Sequence, residues 1–118
     1  MGMTDKFEKA LEFVNYRVTL NNKLSEVRDR VDTLLTYSTG GGTFTVGPDL
    51  IVFVKYLSDL GKTEAVLIDN YKNPIKVDVT DFLAEITSRY FEVTNEYHAE
   101  YNKLRRGRSV EKVLDIND

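Results

Sequence analysis

From Thr4 to about Tyr37 the chain shows apolar residues at helical spacing with no Gly or Pro to interrupt them. Phe7, Leu11, Val14 and Val18 are followed by Leu20, Leu24, Val27, Val31 and Leu34, mostly at alternating intervals of four and three. That spacing predicts one long amphipathic helix over residues 4–37, with Thr4 or Asp5 as its N-cap. At 1.5 Å per residue such a helix is roughly 48 Å long. A compact globule of 118 residues has a radius of gyration of only ~13–14 Å. The helix must therefore project, and its apolar stripe needs cover. The alternation breaks between Val18 and Leu20, beside Asn21 and Asn22. These two either sit in a helical seam, where a buried Asn fixes register, or face water. Glu26 and Arg30 are spaced as an i,i+4 pair.

The rest of the chain adds small elements and a second long helix. Ser38-Thr39-Gly40-Gly41-Gly42 reads as a flexible loop and Thr43–Val46 as a short strand. Gly47-Pro48-Asp49 opens a helix to Leu60, stopped by Gly61. Its apolar residues cover most of the circumference, so it is expected to be central and buried. Glu64–Ile68 and Ile75–Val79 read as a hairpin joined by a turn-rich loop. Asp78 or Thr80 caps a last long helix over residues 80–106, ended by Gly107 and followed by a short tail. The reading is α+β and a single domain over residues 1–118. Two long helices flank a short buried helix and a small antiparallel sheet, the α/β insert spanning 43–79. The expected core is Leu50, Phe53, Val54, Leu57, Val66, Ile68, Ile75, Val77 and Phe82.

Composition removes most chemistry. With 42% hydrophobic residues, seven Tyr and six Phe, the chain can bury a core. No Cys is present, which excludes disulfides, thiol nucleophiles and Cys-ligated metals. One His excludes a multi-His metal site within one chain. A net charge of −3 argues against a generic polyanion binder. The N-terminus lacks the apolar run of a signal peptide, and Leu50–Val54 is too short to span a bilayer. A soluble protein of the cytoplasm, or of the host cytoplasm or virion if phage-encoded, is expected, with no membrane partner.

Motif by motif, the candidates for catalysis fail. Gly61-Lys62-Thr63 lacks the upstream Gly of a phosphate-binding loop, since Tyr56 stands there, and the strand and helix come in the wrong order. Asp69, Asn70, Asn73 and Asp78 lack calcium-loop spacing and read as turn chemistry. His98 has polar helix neighbours at Thr94, Asn95, Tyr101 and Asn102, the surroundings of a surface residue. The expectation is a protein that is not an enzyme and takes neither cofactor nor metal.

Surplus apolar surface points to association. The first helix is longer than the last, so part of its stripe is left over after the two pair. Leu11, Val14, Val18, Leu24, Val27 and Val31 on the first helix, with Tyr90, Val93, Tyr97 and Tyr101 on the last, form the candidate interface. A homo-oligomer is expected, a different assembly or virion protein being the other possible partner. The last helix carries five acids and one Arg between Thr80 and Asn102. The basic run Lys103, Arg105, Arg106 and Arg108 then follows. This run either complements the helix dipole, pairs across chains with the ridge Glu92, Glu96 and Glu100, or contacts phosphate. The last option is the alternative function, a nucleic-acid-binding accessory protein.

Asn95-Glu96-Tyr97, Glu100-Tyr101, Lys103-Leu104 and Arg108-Ser109, after Asp69-Asn70 and Asn73-Pro74-Ile75, resemble small conserved uncharacterised proteins of contractile-tailed phages. The likeness covers the second half of the chain. It implies a phage-encoded structural or assembly protein and no catalytic residue. The helix–β–helix order is also similar to prefoldin subunits in outline, although the apolar helix at 50–60 departs from that plan.

Overall fold

A computed structural model describes the backbone of residues 2–117 and the side chains of residues 5–106. Among the described residues the chain is α+β, with three helices and two small antiparallel sheets. In order these are α1 (Gly2–Leu34), β1 (Thr36–Thr39), β2 (Gly42–Thr45), α2 (Pro48–Asp59), β3 (Glu64–Ile68), β4 (Pro74–Asp78) and α3 (Val79–Asn117). Two compact units result. One holds α1 up to Asp29 together with α3 from Tyr97 onward, and the other runs Arg30–Glu96.

The first long helix ends earlier than its spacing predicts. Thr36-Tyr37-Ser38-Thr39 is a strand, rich in β-branched and aromatic side chains that favour the pleated conformation. It pairs with β2 from Thr36 opposite Thr45 to Thr39 opposite Gly42. The expected loop is therefore a two-residue hairpin turn. Gly40 and Gly41 have φ of +58° and +86°, the pair of left-handed residues that a twisted hairpin needs. Gly42 matters for a different reason. A Cβ there would lie 2.5 Å from Ile75 Cγ1, so its bare backbone lets the first hairpin approach β4. At the N-terminus, Thr4 and Asp5 fall within α1, whose first residue is Gly2, and do not cap it.

The second hairpin joins β3 and β4 in a register that sets Leu67 opposite Ile75 and Ala65 opposite Val77. Paired residues share a face. The clean alternation of β4 buries Ile75 and Val77, which draws Leu67 inward. Val66 and Ile68, expected in the core, are both 61% exposed. Four consecutive apolar residues in β3 conceal the parity that its partner determines.

Between the hairpins and the helices of this unit lies one core. Phe44, Val46, Val54, Leu67, Ile75, Val77, Val79, Phe82 and Ile86 form it. Phe44 meets Phe82 edge to face at 5.1 Å. Helix α2 begins with Pro48 after an extended Gly47 and ends through Leu60 into Gly61 at φ +79°. It is not buried all round. Val54 is inside and Leu50, Ile51 and Leu57 are partly covered, whereas Val52, Phe53, Tyr56 and Leu60 are exposed. Phe53 thus leaves the expected core: at 100° per residue it turns a quarter of the circumference or more away from Val54, onto the exposed side with Tyr56 and Leu60.

Asp78 caps α3, its Oδ1 accepting the Asp81 N–H at 2.9 Å. The helix continues to Asn117, past the expected end at 106, so the short tail is helical backbone. An interior Gly costs about 1 kcal/mol against Ala, too little to stop a helix flanked by good helix formers. Arg30 pairs with Glu96 at 3.5 Å and Arg89 donates to the Leu34 carbonyl at 3.3 Å. Rising numbers on α1 meet falling ones on α3, so the two run antiparallel in this unit.

Candidate functional site

Helix α1 carries two apolar stripes, not one with a fault. At 100° per residue, Phe13, Tyr16, Leu20, Leu24 and Val27 lie on one face. Phe7, Leu11, Val14 and Val18 lie about 150° away from it. The break between Val18 and Leu20 is the handover between faces. Leu20 is buried, and Leu24 and Val27 are half-buried. Only α1 and α3 contribute to this unit, so α3 supplies their cover. Arg28 Nε donates to Tyr97 Oη at 3.3 Å on the same side. Asn21 and Asn22 are exposed, which settles them as water-facing residues.

Among the described residues the second stripe has no such cover. Phe7 is 65% exposed, Leu11 47%, Val14 53% and Val18 52%. These four at 4-3-4 spacing form a continuous apolar ridge along three turns. A shorter last helix, the cause expected from the spacing, does not account for it. Helix α3 has 39 residues and α1 has 33, so length does not explain the surplus. The surplus is in part angular, a second stripe on the face turned away from the first, and in part axial, since Phe13 on the first face is itself 45% exposed.

Of the ten candidate interface residues, Leu11, Val14 and Val18 are exposed, and Tyr101 is 38% exposed. Leu24, Val27, Tyr90 and Tyr97 are half-buried. Val31 and Val93 are buried within their own unit and are unavailable to a partner. Both sit on faces that α1 and α3 turn to each other there, which sequence spacing cannot separate from a face turned outward. Tyr90 packs against the core and sets its ring 5.8 Å from Phe91. Sequence reasoning missed the exposed side of α2 and the open face of β3. The signal available was the pairing of Val66 with the charged Lys76.

Lys103, Arg105 and Arg106 are exposed on α3, while the side chain of Arg108 lies outside the described residues. Because α3 runs to Asn117, this basic segment is interior to the helix and does not complement its C-terminal dipole. In the ridge, Glu96 is engaged by Arg30, and Glu92 is exposed. Arg30 thus reaches across helices, not along its own to Glu26. His98 is exposed and its Nε2 lies 3.2 Å from Asn102 Nδ2.

The node with the most ordered polar geometry is Asp69. It is buried, and its Oδ2 accepts the Thr43 N–H at 3.0 Å. Its Oδ1 accepts the N–H groups of Tyr71 at 3.0 Å and Asn73 at 2.8 Å. These bonds, Thr43 foremost, hold its carboxyl below the ordinary value of 3.8, against the opposing effect of burial. Three backbone N–H groups converge on this carboxylate, so the group organises a loop. An open groove of about 560 Å³ runs between α2 and α3, with Ile51, Leu83 and Ala84 on its walls and Lys55 at the rim.

Among the described residues no cluster of His, Asp or Glu has metal-binding geometry, and no helix is long and apolar enough to cross a membrane. Compared with family models, curated proteins and solved structures, the chain matches none.

Proposed function

We propose that this is a non-enzymatic structural or assembly protein that associates with a second copy of itself through α1. The observation that carries the reading is the exposed ridge Phe7, Leu11, Val14 and Val18, each about half or more open to solvent. Leaving a few hundred Å² of apolar surface wet forfeits several kcal/mol at ~25 cal/mol per Å². Closing it on a copy related by a twofold axis is the simplest cover. The resemblance to phage proteins supports an assembly role, in the virion or the host cytoplasm. Light scattering on the purified chain over a concentration series tests it. A mass above 13.6 kDa that falls on dilution is expected, and a monomer at every concentration overturns self-association in favour of a different virion or assembly partner.

A second reading has its own observation. The basic segment Lys103, Arg105 and Arg106 stands on an exposed helical stretch without a helix end to complement. A nucleic-acid accessory role would use these cations with Arg108, and affinity would then fall steeply with salt. Absence of DNA and RNA binding at low salt removes this reading.

A further inference from the structure

We infer that the free edge of β3 is a second homotypic contact, at which β3 pairs antiparallel with β3 of another copy to make a four-stranded sheet. It rests on backbone geometry in the Arg30–Glu96 unit and is independent of the ridge on α1.

Two hydrogen bonds fix which way each β3 residue points. The Val79 N–H donates to the Thr63 carbonyl at 2.9 Å, and the Asp69 N–H donates to the Asn73 carbonyl at 2.9 Å. Both pairs belong to the register that sets Ala65 opposite Val77 and Leu67 opposite Ile75. Bonded pairs alternate along an antiparallel ladder, so Thr63, Ala65, Leu67 and Asp69 face β4. Glu64, Val66 and Ile68 therefore direct their N–H and C=O groups to the opposite edge. The sheet has two strands, so among the described residues no further strand meets them. Val66 and Ile68 also expose most of their side chains on the outer face.

The two edges of this sheet are unlike. β4 opens with Pro74 and carries Lys76 and Asp78, the features that discourage strand addition. The first hairpin also approaches β4, a Cβ at Gly40 lying 3.5 Å from Ile75 and one at Gly42 2.5 Å. β3 has no Pro, no bulge and no central charge. It is the kind of edge that accepts another strand.

The occupant follows from symmetry. The outward groups are spaced evenly about Val66, so a twofold axis there sets Val66 against the other copy's Val66. Glu64 then meets the other copy's Ile68, and the reverse. Every outward N–H finds a carbonyl in this register. No like charges oppose one another, and Glu64 is already paired with Lys76 at 2.9 Å in its own sheet. A strand so short buries less than the ~1,000 Å² of a self-standing interface, so this contact is weak alone and strengthens an assembly already held elsewhere.

Amide hydrogen exchange on the full chain carrying Leu11→Glu and Val14→Glu tests the edge apart from the α1 ridge. The amides of Ala65 and Leu67 are expected to be protected at all concentrations. Those of Val66 and Ile68 are expected to gain roughly three- to fivefold protection between about 20 μM and about 1 mM. Val66→Lys, or Ile68→Lys should the first not fold, is expected to abolish that gain. Free exchange of Val66 and Ile68 up to the highest concentration overturns the contact. Protection that does not change on dilution overturns it too, because the edge is then covered within one chain.

Discussion

The Thr43 N–H donates to Oδ2 of Asp69 at 3.0 Å, a bond between residues 26 apart that ties the first hairpin to the turn of the second. Asn70 doubles the tie: its N–H donates to the Thr43 carbonyl at 2.8 Å and its Nδ2 to Thr45 Oγ1 at 2.9 Å. Two isolated two-stranded hairpins are marginal in water. This cross-link is what lets them act as one layer over the core.

A pH dependence follows. The Asp69 carboxyl lies below its ordinary value of 3.8 in the folded chain, chiefly through Thr43, so the unfolded chain binds its proton more readily. Its contribution is fully present above about pH 4 and is lost as pH falls through the folded value. Thermal melts of Asp69→Asn are expected to show a lower Tm near neutrality, by about 5 °C or more, and a shallower decline below about pH 4. An acid limb as steep as that of the unaltered chain would assign the dependence to other carboxylates.

Gly42 and Ile75 form a tight pair. The Cβ of Gly42→Ala would meet Ile75 Cγ1 at 2.5 Å and Cδ1 at 2.9 Å, and Ile75 is itself buried. Overpacking of this kind costs roughly 1–3 kcal/mol. Adding Ile75→Val removes Cδ1, so the double variant is expected to recover part of the loss, a coupling of about 0.5 kcal/mol or more in denaturant unfolding. Purely additive effects would show that the hairpin simply shifts away.

Arg89 joins three neighbours. It stacks 4.7 Å above the Tyr37 ring, donates to the Leu34 carbonyl at 3.3 Å, and pairs with Glu85 at 3.1 Å. It thereby satisfies an orphan carbonyl at the end of α1. Arg89→Met keeps the stem and removes these bonds, with an expected loss of about 1–2 kcal/mol. Arg89→Lys is expected to restore little, since an ammonium lacks the planar fork. Full recovery in the Lys variant would reduce the role to bare charge.

What the sequence shows plainly is what repeats along one element. The spacing in α1 and α3, the alternation of Ile75 and Val77, Pro48 at a helix start and Gly61 at a helix stop are all local signals. The errors arise where a partner decides. β3 is apolar at four successive positions, and only its register with β4 tells Leu67 from Val66. Helix α2 is apolar nearly all round, and only the position of the core tells Val54 from Phe53. Thr36–Thr39 is a strand because Gly40 and Gly41 let it turn back on β2. On α1 a single count of apolar residues merges two faces, and the spacing at Val18 and Leu20 marks where they part.

Leu11 and Leu20 separate association from stability. Both are leucines on one helix, nine positions apart, yet Leu20 is buried and Leu11 is 47% exposed. Leu20→Ala opens a cavity where α3 covers α1, and an expected loss of roughly 2–3 kcal/mol should appear in chemical denaturation. Leu11→Ala vacates no interior volume, so the isolated chain is expected to change by less than about 0.5 kcal/mol at concentrations where it is a monomer. Its effect should appear in dissociation instead. Removing a side chain from the centre of a four-residue apolar ridge is expected to raise the dimer Kd by about tenfold or more in sedimentation equilibrium. Leu11→Glu should raise it further, since a carboxylate would be desolvated against an apolar face. Equal losses of stability in the Leu11 and Leu20 variants, with Kd unmoved, would mean that the ridge packs within one chain in solution and is not the surface on which copies meet.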